Sequence, residues 1–400
     1  MHIVYLVHAF PVGGLSTGGA GNYVANMAQI MRMHGHKVSV ITEAKEDSYA
    51  NWKGIDIYYI QATKGFKATD KYMPTYKKVL KNLWRSIWYN NKVAEIHKMS
   101  KVDIVQSVNT FGIGLFRLRK IPYVVRLSSY PPLWGAAERE SFDFEKSLKT
   151  RRLDEELQLI AIKKADVVVS PSYLVGNIVE ERVHRKIEVI ESPIVIPDIE
   201  TLELKENMLI PEKYFVTFGA LANRKSIHSL VEIIDEILDK YRDMKYVVIG
   251  RDKLLRHNGD YAMASKILDQ SIRRNKDRFI FMGEISDRKR LFSIVGNAYA
   301  CVLPTRIDNL PNTVLEAMAL GKIVISSDKT SVEQLIEDDN NGFLTKVDDS
   351  EGLKIKIDYV MKLSSSKKAE IENNAKKRVS SLCSEDVYGE MMKIYESVIR

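Results

Sequence analysis

Short runs of β-branched and aromatic residues alternate along this chain with longer stretches of helical period. In the first half the runs predict strands over 2–8, 37–42, 56–60, 103–108, 122–127, 166–170 and 186–190. Helical patterns fall between them, as at 21–34 and 76–99. Near-continuous apolar strands joined by helices predict a parallel sheet covered on both faces. The rhythm breaks over 191–213, where three prolines and no clean period predict a linker between domains. Strands resume at 214–219, 245–250, 278–283, 299–304 and 322–327, with helices near 225–240, 261–273, 311–320, 351–363 and 384–399. The expected fold class is α/β, with two doubly wound Rossmann-like domains. Such sheets bind ligands at the carboxyl ends of their strands, so a site is expected in a cleft between the two.

Composition narrows the function classes. The chain has 400 residues and a formal net charge of +8. Between Lys53 and Lys101 there are eleven Lys/Arg against three acids, so this stretch carries the whole excess. A nucleic-acid-coating protein would spread its charge more widely. Two cysteines, Cys301 and Cys383, exclude a disulfide framework and fit a reducing compartment. No apolar run approaches the ~18–20 residues of a transmembrane helix. The first residues meet Pro11-Val12-Gly13-Gly14 too soon for a signal peptide.

Three segments carry candidate chemistry. "FPVGGLSTGGAGNYVANMAQ" follows the first strand and places Gly18 and Gly19 before a helix. Its glycines either let backbone N–H groups reach a phosphate or serve turns alone. Neither a dinucleotide fingerprint nor a P-loop fits it. "FGALANRKSIHSLVEII" ends a strand at Gly219 and puts Arg224 and Lys225 on the next loop. Two cations there suit a diphosphate; the alternative is a solvated pair at a helix start. "LPTRIDNLPNTVLEAMALGKIVIS" carries Asp308, Asn309 and Leu310 on a loop and Pro311 at the first position of a helix. The N–H groups of Asn312, Thr313 and Val314 are expected to be unpaired and able to receive phosphate oxygens. Glu316 lies eight residues after Asp308, so a loop acid and a helical acid can reach one ligand. Paired sugar hydroxyls suit such an acid.

The third segment resembles the signature of retaining glycosyltransferases of family 4 (glycosyl transferase group 1), which have the GT-B fold. "GGAGNYVANMAQIMRMHGHKVSVIT", "FGALANRKS", "IFMGEIS" and "SVEQLIEDDNNGFL" resemble further parts of the family pattern. The resemblance implies an N-terminal acceptor-side domain over 1–192, a donor domain over 193–380, and a C-terminal helix over 381–400 crossing back. It implies that Lys225 contacts the donor diphosphate. Gly18, Gly19 and Gly219 would offer backbone, Glu316 would hold the ribose, Asp308 the donor sugar, and the backbone at Ile285 the base. Asp308 stands where the family has Glu, and Ala220 stands where it has a diphosphate-binding Arg, a charge that Arg224 would supply instead. Ser128, beside Arg126, occupies the place of a common first-domain histidine; His8 and His34 read as structural.

The implied activity is transfer of a sugar, with retention, from a nucleoside-diphosphate donor (UDP favoured) to a glycan or lipid-linked saccharide in surface polysaccharide or glycolipid assembly. The alternatives are a sugar-nucleotide epimerase and a catalytically silent nucleotide-sugar-binding subunit. Asp-x-Asp is absent, so no metal and no cofactor are expected. On the 76–92 helix, Val79, Leu80, Leu83 and Ile87 form a stripe expected to pack on the sheet. Lys77, Lys78, Lys81 and Arg85 share another face, bordered by Trp84 and Trp88. That face suits an anionic membrane surface, or is simply solvated. The expected location is the cytoplasm, with peripheral docking on the inner face of the membrane and no nucleic-acid partner.

Overall fold

The computed structural model describes residues 1–11, 18–63, 74–149, 153–194, 212–382 and 384–399. The chain divides into two compact units. The first comprises Met1–Pro132, Leu148–Pro193 and Cys383–Arg400; the second comprises Leu133–Ser147 and Ile194–Leu382.

Unit one holds an eight-stranded sheet. Its strands are β1 (His2–Leu6), β2 (Lys37–Glu43), β3 (Ser48–Trp52), β4 (Ile55–Ile60), β5 (Ile104–Val108), β6 (Tyr123–Arg126), β7 (Val167–Ser170) and β8 (Glu188–Val189). Their order is 3-4-2-1-5-6-7-8. All neighbours run parallel except β3, which lies antiparallel on β4. Strands β1 and β5 are buried along their whole length, as the continuous apolar runs require. The pattern gave no sign of β3, because its five residues are mixed in polarity and exposed or half-buried. It pairs through a two-residue turn in which Lys53 and Gly54 both take positive φ, 54° and 79°, the geometry that suits a tight hairpin. The C-terminal helix Ser384–Val398 belongs to this unit. Its Tyr395 is fully buried, shares a 3.1 Å hydrogen bond with Tyr5 on β1 and donates another to Gln106 on β5.

Unit two holds a six-stranded, all-parallel sheet and a separate hairpin. The strands are β9 (Tyr214–Phe218), β10 (Lys245–Ile249), β11 (Leu254–His257), β12 (Asp260–Met263), β13 (Phe279–Gly283), β14 (Ala300–Val302), β15 (Val324–Ser327) and β16 (Phe343–Thr345). The sheet order is 13-10-9-14-15-16, and β11 pairs with β12 alone. Alternate residues feed two cores. Tyr214, Val216, Phe218, Val247 and Ile249 enter one; Phe215, Tyr246 and Val248 enter the other. The Ile227–Lys240 helix covers the second with Ile227, Leu230, Ile233, Ile234, Ile237 and Leu238, each contributing roughly 1.5–3 kcal/mol through burial. Both sheets are therefore the doubly covered α/β layers expected from the hydrophobic pattern. The expected linker at 191–213 falls mostly outside the described residues.

Candidate functional site

The site in unit two is built at the carboxyl ends of β9, β10 and β14. Gly219 follows β9 at φ 120°, and a Cβ on it would come within 3.1 Å of Thr313 Cγ2. Gly250, after β10, is tighter still: a Cβ there would lie 1.7 Å from the Gly219 carbonyl oxygen. Two absent side chains thus let the loop after β9 lie against the start of the Asn312–Ala319 helix. Asn223–Lys225 form a single 3-10 turn. The carbonyl of Arg224 accepts from the Arg306 N–H at 2.9 Å and from Thr305 Oγ1 at 3.0 Å, which joins this turn to the loop after β14.

On that joint Lys225 pairs with Asp308. Both side chains are largely buried, 17 % and 18 % exposed. Burial alone would raise the Asp308 carboxyl, but Lys225 and Arg224 outweigh it and hold it below the ordinary carboxylate value. The Asn309 N–H also donates to Asp308 Oδ1 at 3.0 Å. Glu316 is more deeply placed, 8 % exposed, and Arg288 Nη2 donates to its Oε1 at 2.7 Å. Burial raises the Glu316 carboxyl above its ordinary value, against the pull of Arg288 and then Lys225. The two acids named from sequence therefore have opposite tendencies: Asp308 is pulled toward its ionised form and Glu316 toward its protonated form.

The helix start differs in detail from the expectation. Pro311 caps the helix from an extended conformation, and Asn312 is its first residue. The Val314 N–H is not free, because it donates to the Pro311 carbonyl at 3.0 Å. Leu310 sits at φ 63° with its N–H on Ser331 Oγ at 3.1 Å, and Ser331 donates in turn to the Asp308 carbonyl at 2.8 Å. This leaves Asn312 and Thr313 as the candidate anion donors. Ile285 lies half-buried against the core between β13 and the Arg288–Asn297 helix. Ala220 brings no charge, and the Arg224 guanidinium is already held by Glu138 at 3.0 Å.

Two cations at this site were missed by sequence reading. Arg288 holds Glu316 and lies 4.4 Å over the Phe292 ring. Its signal is weak, one Arg following a helix-capping Asp287. Arg306 is 2 % exposed. Its Nε reaches Asp348 at 2.7 Å, and its terminal nitrogens donate to the carbonyls of Ala137, Arg139 and Glu140 at 3.2, 2.6 and 2.9 Å. Burial works to raise Asp348, but His228 and Arg306 bring it down to about 2. Arg306 thus anchors the distant segment Leu133–Ser147 within unit two.

In unit one, Gly18 opens the Gly18–Met33 helix at φ 78°, and Gly19 follows it, both exposed. The preceding glycine loop at 12–17 lies outside the described residues. His8 shares a 3.3 Å hydrogen bond with Thr110 and packs edge-on to Phe111. His34 bonds Ile30 and Glu385 and stacks on Tyr388. Ser128 donates to Asn109, and Arg126 lies 3.5 Å over the Tyr23 ring.

The Thr75–Met99 helix corrects the expected basic face. Arg85 does not face outward: it is buried, donating to Glu43 at 2.6 and 3.1 Å and to Asn82 at 3.0 Å, with its guanidinium 4.0 Å over Phe111. The inward stripe is polar, comprising Asn82, Arg85, Ser86, Tyr89 and Asn90 before Val93 and Ile96. Ser86 and Asn90 both donate to the Ile113 carbonyl. Leu80, expected inside, is 52 % exposed, and Tyr76 and Trp84 are also exposed. Lys77 is exposed, whereas Lys78, Lys81 and Trp88 are half-buried. Among the described residues no helix is long and apolar enough to cross a membrane, and no group of three His, Cys, Asp or Glu could hold a metal ion.

Comparison with known proteins agrees with this architecture. The family model for glycosyl transferases group 1 matches residues 200–378, and that for glycosyltransferase family 4 matches 17–196. A capsular polysaccharide biosynthesis glycosyltransferase of Staphylococcus aureus is 24% identical over 205 residues, 51% of each chain. The chain spans about half the length of the curated relatives it matches, or less. Among solved structures, sucrose-phosphate synthase from Thermosynechococcus elongatus superposes with a TM-score of 0.77 at 18% identity, covering 99% of this chain and 98% of that one. The Anabaena protein HepE, in complex with UDP and glucose, gives a TM-score of 0.70 at 17% identity, covering 99% of each. With two family models lying in tandem over two Rossmann-like sheets, the chain belongs to the group 1 glycosyltransferases of family 4, with the GT-B fold.

Proposed function

We propose that this protein is a retaining glycosyltransferase that moves a hexose from a nucleoside-diphosphate donor, UDP favoured, to a glycan or lipid-linked saccharide. The observation that carries this is the Lys225–Asp308 pair beside Glu316 and the open helix start at Asn312 and Thr313. Glu316 would accept two ribose hydroxyls once Arg288 yields it. Lys225 and the helix start would meet the diphosphate, and Asp308 the transferred sugar. In the reaction the bond from the sugar's anomeric carbon to the diphosphate oxygen breaks, and the acceptor oxygen bonds to that carbon on the same face. The acceptor's proton passes to the departing phosphate. Negative charge accumulates on that phosphate, and fixed cations stabilise it as it forms.

UDP is supported by the UDP and glucose bound to the Anabaena relative of the same fold. Assembly of a surface polysaccharide is supported by the capsular relative. The reaction is proposed to need no metal, so full turnover in chelator is expected and loss of turnover would refute that part. A thermal-shift panel of UDP, GDP and ADP, free and as their sugars, tests the donor. The right nucleotide at a hundredfold excess over its Kd stabilises the fold by about 2.7 kcal/mol. Nucleotide release on adding the matching sugar donor and acceptor then separates a transferase from a silent binding subunit.

The exposed N-terminal end of the Thr75–Met99 helix, where Lys77 stands among aromatic and apolar side chains, is proposed to dock on anionic lipid at the inner face of the membrane. Exposed Tyr76, Lys77, Leu80 and Trp84 support it.

A further inference from the structure

Unit two has a second polar cavity beside the donor loop, of about 650 Å³. One wall is the segment that Arg306 anchors, with Glu138 and Glu140; another is the β11–β12 hairpin, with Arg256 and Tyr261; Lys253 lines it between them. Asn223 ties the walls together, since its Nδ2 donates to the carbonyls of Glu138 at 3.1 Å and Arg256 at 3.4 Å. Arg306 fixes one wall and Asn223 both, so the cavity is built into the fold.

The charges in it are unevenly satisfied. Glu138 is held by Arg224 at 3.0 Å. Glu140 accepts from the Gly259 N–H at 3.3 Å and lies 3.8 Å from Arg256. Lys253 is half-buried; its carbonyl accepts from the Ala264 N–H at 2.9 Å, but its ammonium makes no hydrogen bond or ion pair among the described residues. Burial, and then the nearby Arg224 charge, push its ammonium below the ordinary lysine value. The acid that acts on it, Glu138, pulls the other way but is bonded to Arg224, so a half-buried ammonium with no direct contact has room for an anion. A lone small anion would meet Lys253 but leave the hairpin wall and the two carboxylates to water. An apolar occupant would strip water from two carboxylates that still have free lone pairs. Hydroxyl groups satisfy those lone pairs, and Tyr261, 66 % exposed, borders the cavity at its rim.

We propose that this cavity binds a saccharide bearing a phosphate or carboxylate, with Lys253 as the counter-ion. This ligand is separate from the nucleotide sugar and does not depend on the reaction assigned to Lys225. The test is titration calorimetry on the intact protein with glucose 6-phosphate, glucuronate, glucose and inorganic phosphate. At least one of the two anionic sugars is expected to bind, and which of them binds identifies the acid group. Glucose and phosphate alone are each expected to bind at least tenfold more weakly. Lys253→Gln is expected to weaken the anionic sugar at least tenfold, and Tyr261→Ala, at the exposed rim, to weaken it several-fold. Glu316→Gln, in the nucleotide site, is expected to leave it unchanged. No heat with either anionic sugar would overturn the proposal. So would phosphate binding as tightly as the sugar phosphate, unchanged affinity in Lys253→Gln, or binding lost in Glu316→Gln.

Discussion

In unit two Lys225 meets Asp308 at the end of a strand; in unit one Arg85 meets Glu43 at the end of another. Both pairs sit where α/β sheets place their ligands, and both are largely shielded from water. The Arg85 pair is closed. Its guanidinium spends three nitrogens on Glu43 and Asn82, and Phe111 covers its face. The Lys225 ammonium has three hydrogens and one side-chain partner among the described residues, beside a helix start with open N–H groups. A saturated pair holds structure, whereas an unfilled pair keeps donors for a ligand.

Removing each cation tests that distinction. Arg85→Met strands a buried Glu43 and is expected to cost about 3–5 kcal/mol in urea unfolding. Adding Glu43→Gln should return most of that loss; a single-variant cost under about 1 kcal/mol would make the pair no different from a surface one. Lys225→Met is expected to lower donor turnover about 100- to 1000-fold. Here a second change, Asp308→Asn, should restore stability without restoring turnover. Recovery of both would make the Lys225 pair structural too.

Acid titration of stability sharpens the same contrast. Asp308 is held below its unfolded value, so its contribution is present above about pH 3.9 and lost as pH falls through the folded value. Glu316 is raised, so its contribution is present below about pH 4.3 and lost as pH rises through its folded value. Relative to the unsubstituted protein, Glu316→Gln should therefore gain stability from pH 4 to 7 while losing nucleotide affinity. Asp308→Asn should lose stability from pH 3 to 7. Parallel curves for the two variants would contradict the opposite tendencies.

The smallest effect belongs to the helix surface. Lys77→Gln is expected to reduce pelleting with anionic vesicles about fivefold, the ~1 kcal/mol of one basic residue near such a surface. Neutral vesicles and unfolding should not respond. No dependence on anionic lipid in the unsubstituted protein would leave this face merely solvated.

The long parallel strands were legible because burial on both faces forces continuous apolar runs, as in "YFVTF" and "KYVVI". Strand β3 and the β11–β12 hairpin were not, since they are short, mixed in polarity and largely exposed, and so carry no such demand. The Ser365–Ser380 helix shows little more than Ile371, Ala375 and Val379 to the core. Periodicity also misplaced Leu80, because the buried face of its helix is held by hydrogen bonds: Asn82 accepts from Arg85, and Ser86 and Asn90 donate to the Ile113 carbonyl. At the site, Lys225 stands out on the loop after the apolar strand β9, and Glu316 on the helix that follows β14. Arg306 and Lys253 act through segments brought from elsewhere in the chain, such as Leu133–Ser147, and no local spacing announces such partners.

Gly250 sets a rule for inheritance. A glycine codon differs from that of every other residue at its first or second base. Any missense change at 250 therefore installs a carbon that would stand 1.7 Å from the Gly219 oxygen. A side chain at this position would therefore force the backbone around Gly219 to shift. Gly135, where an added carbon would meet nothing within 4 Å, can drift freely. A saturation library selected for function should return one amino acid at the first position and many at the second.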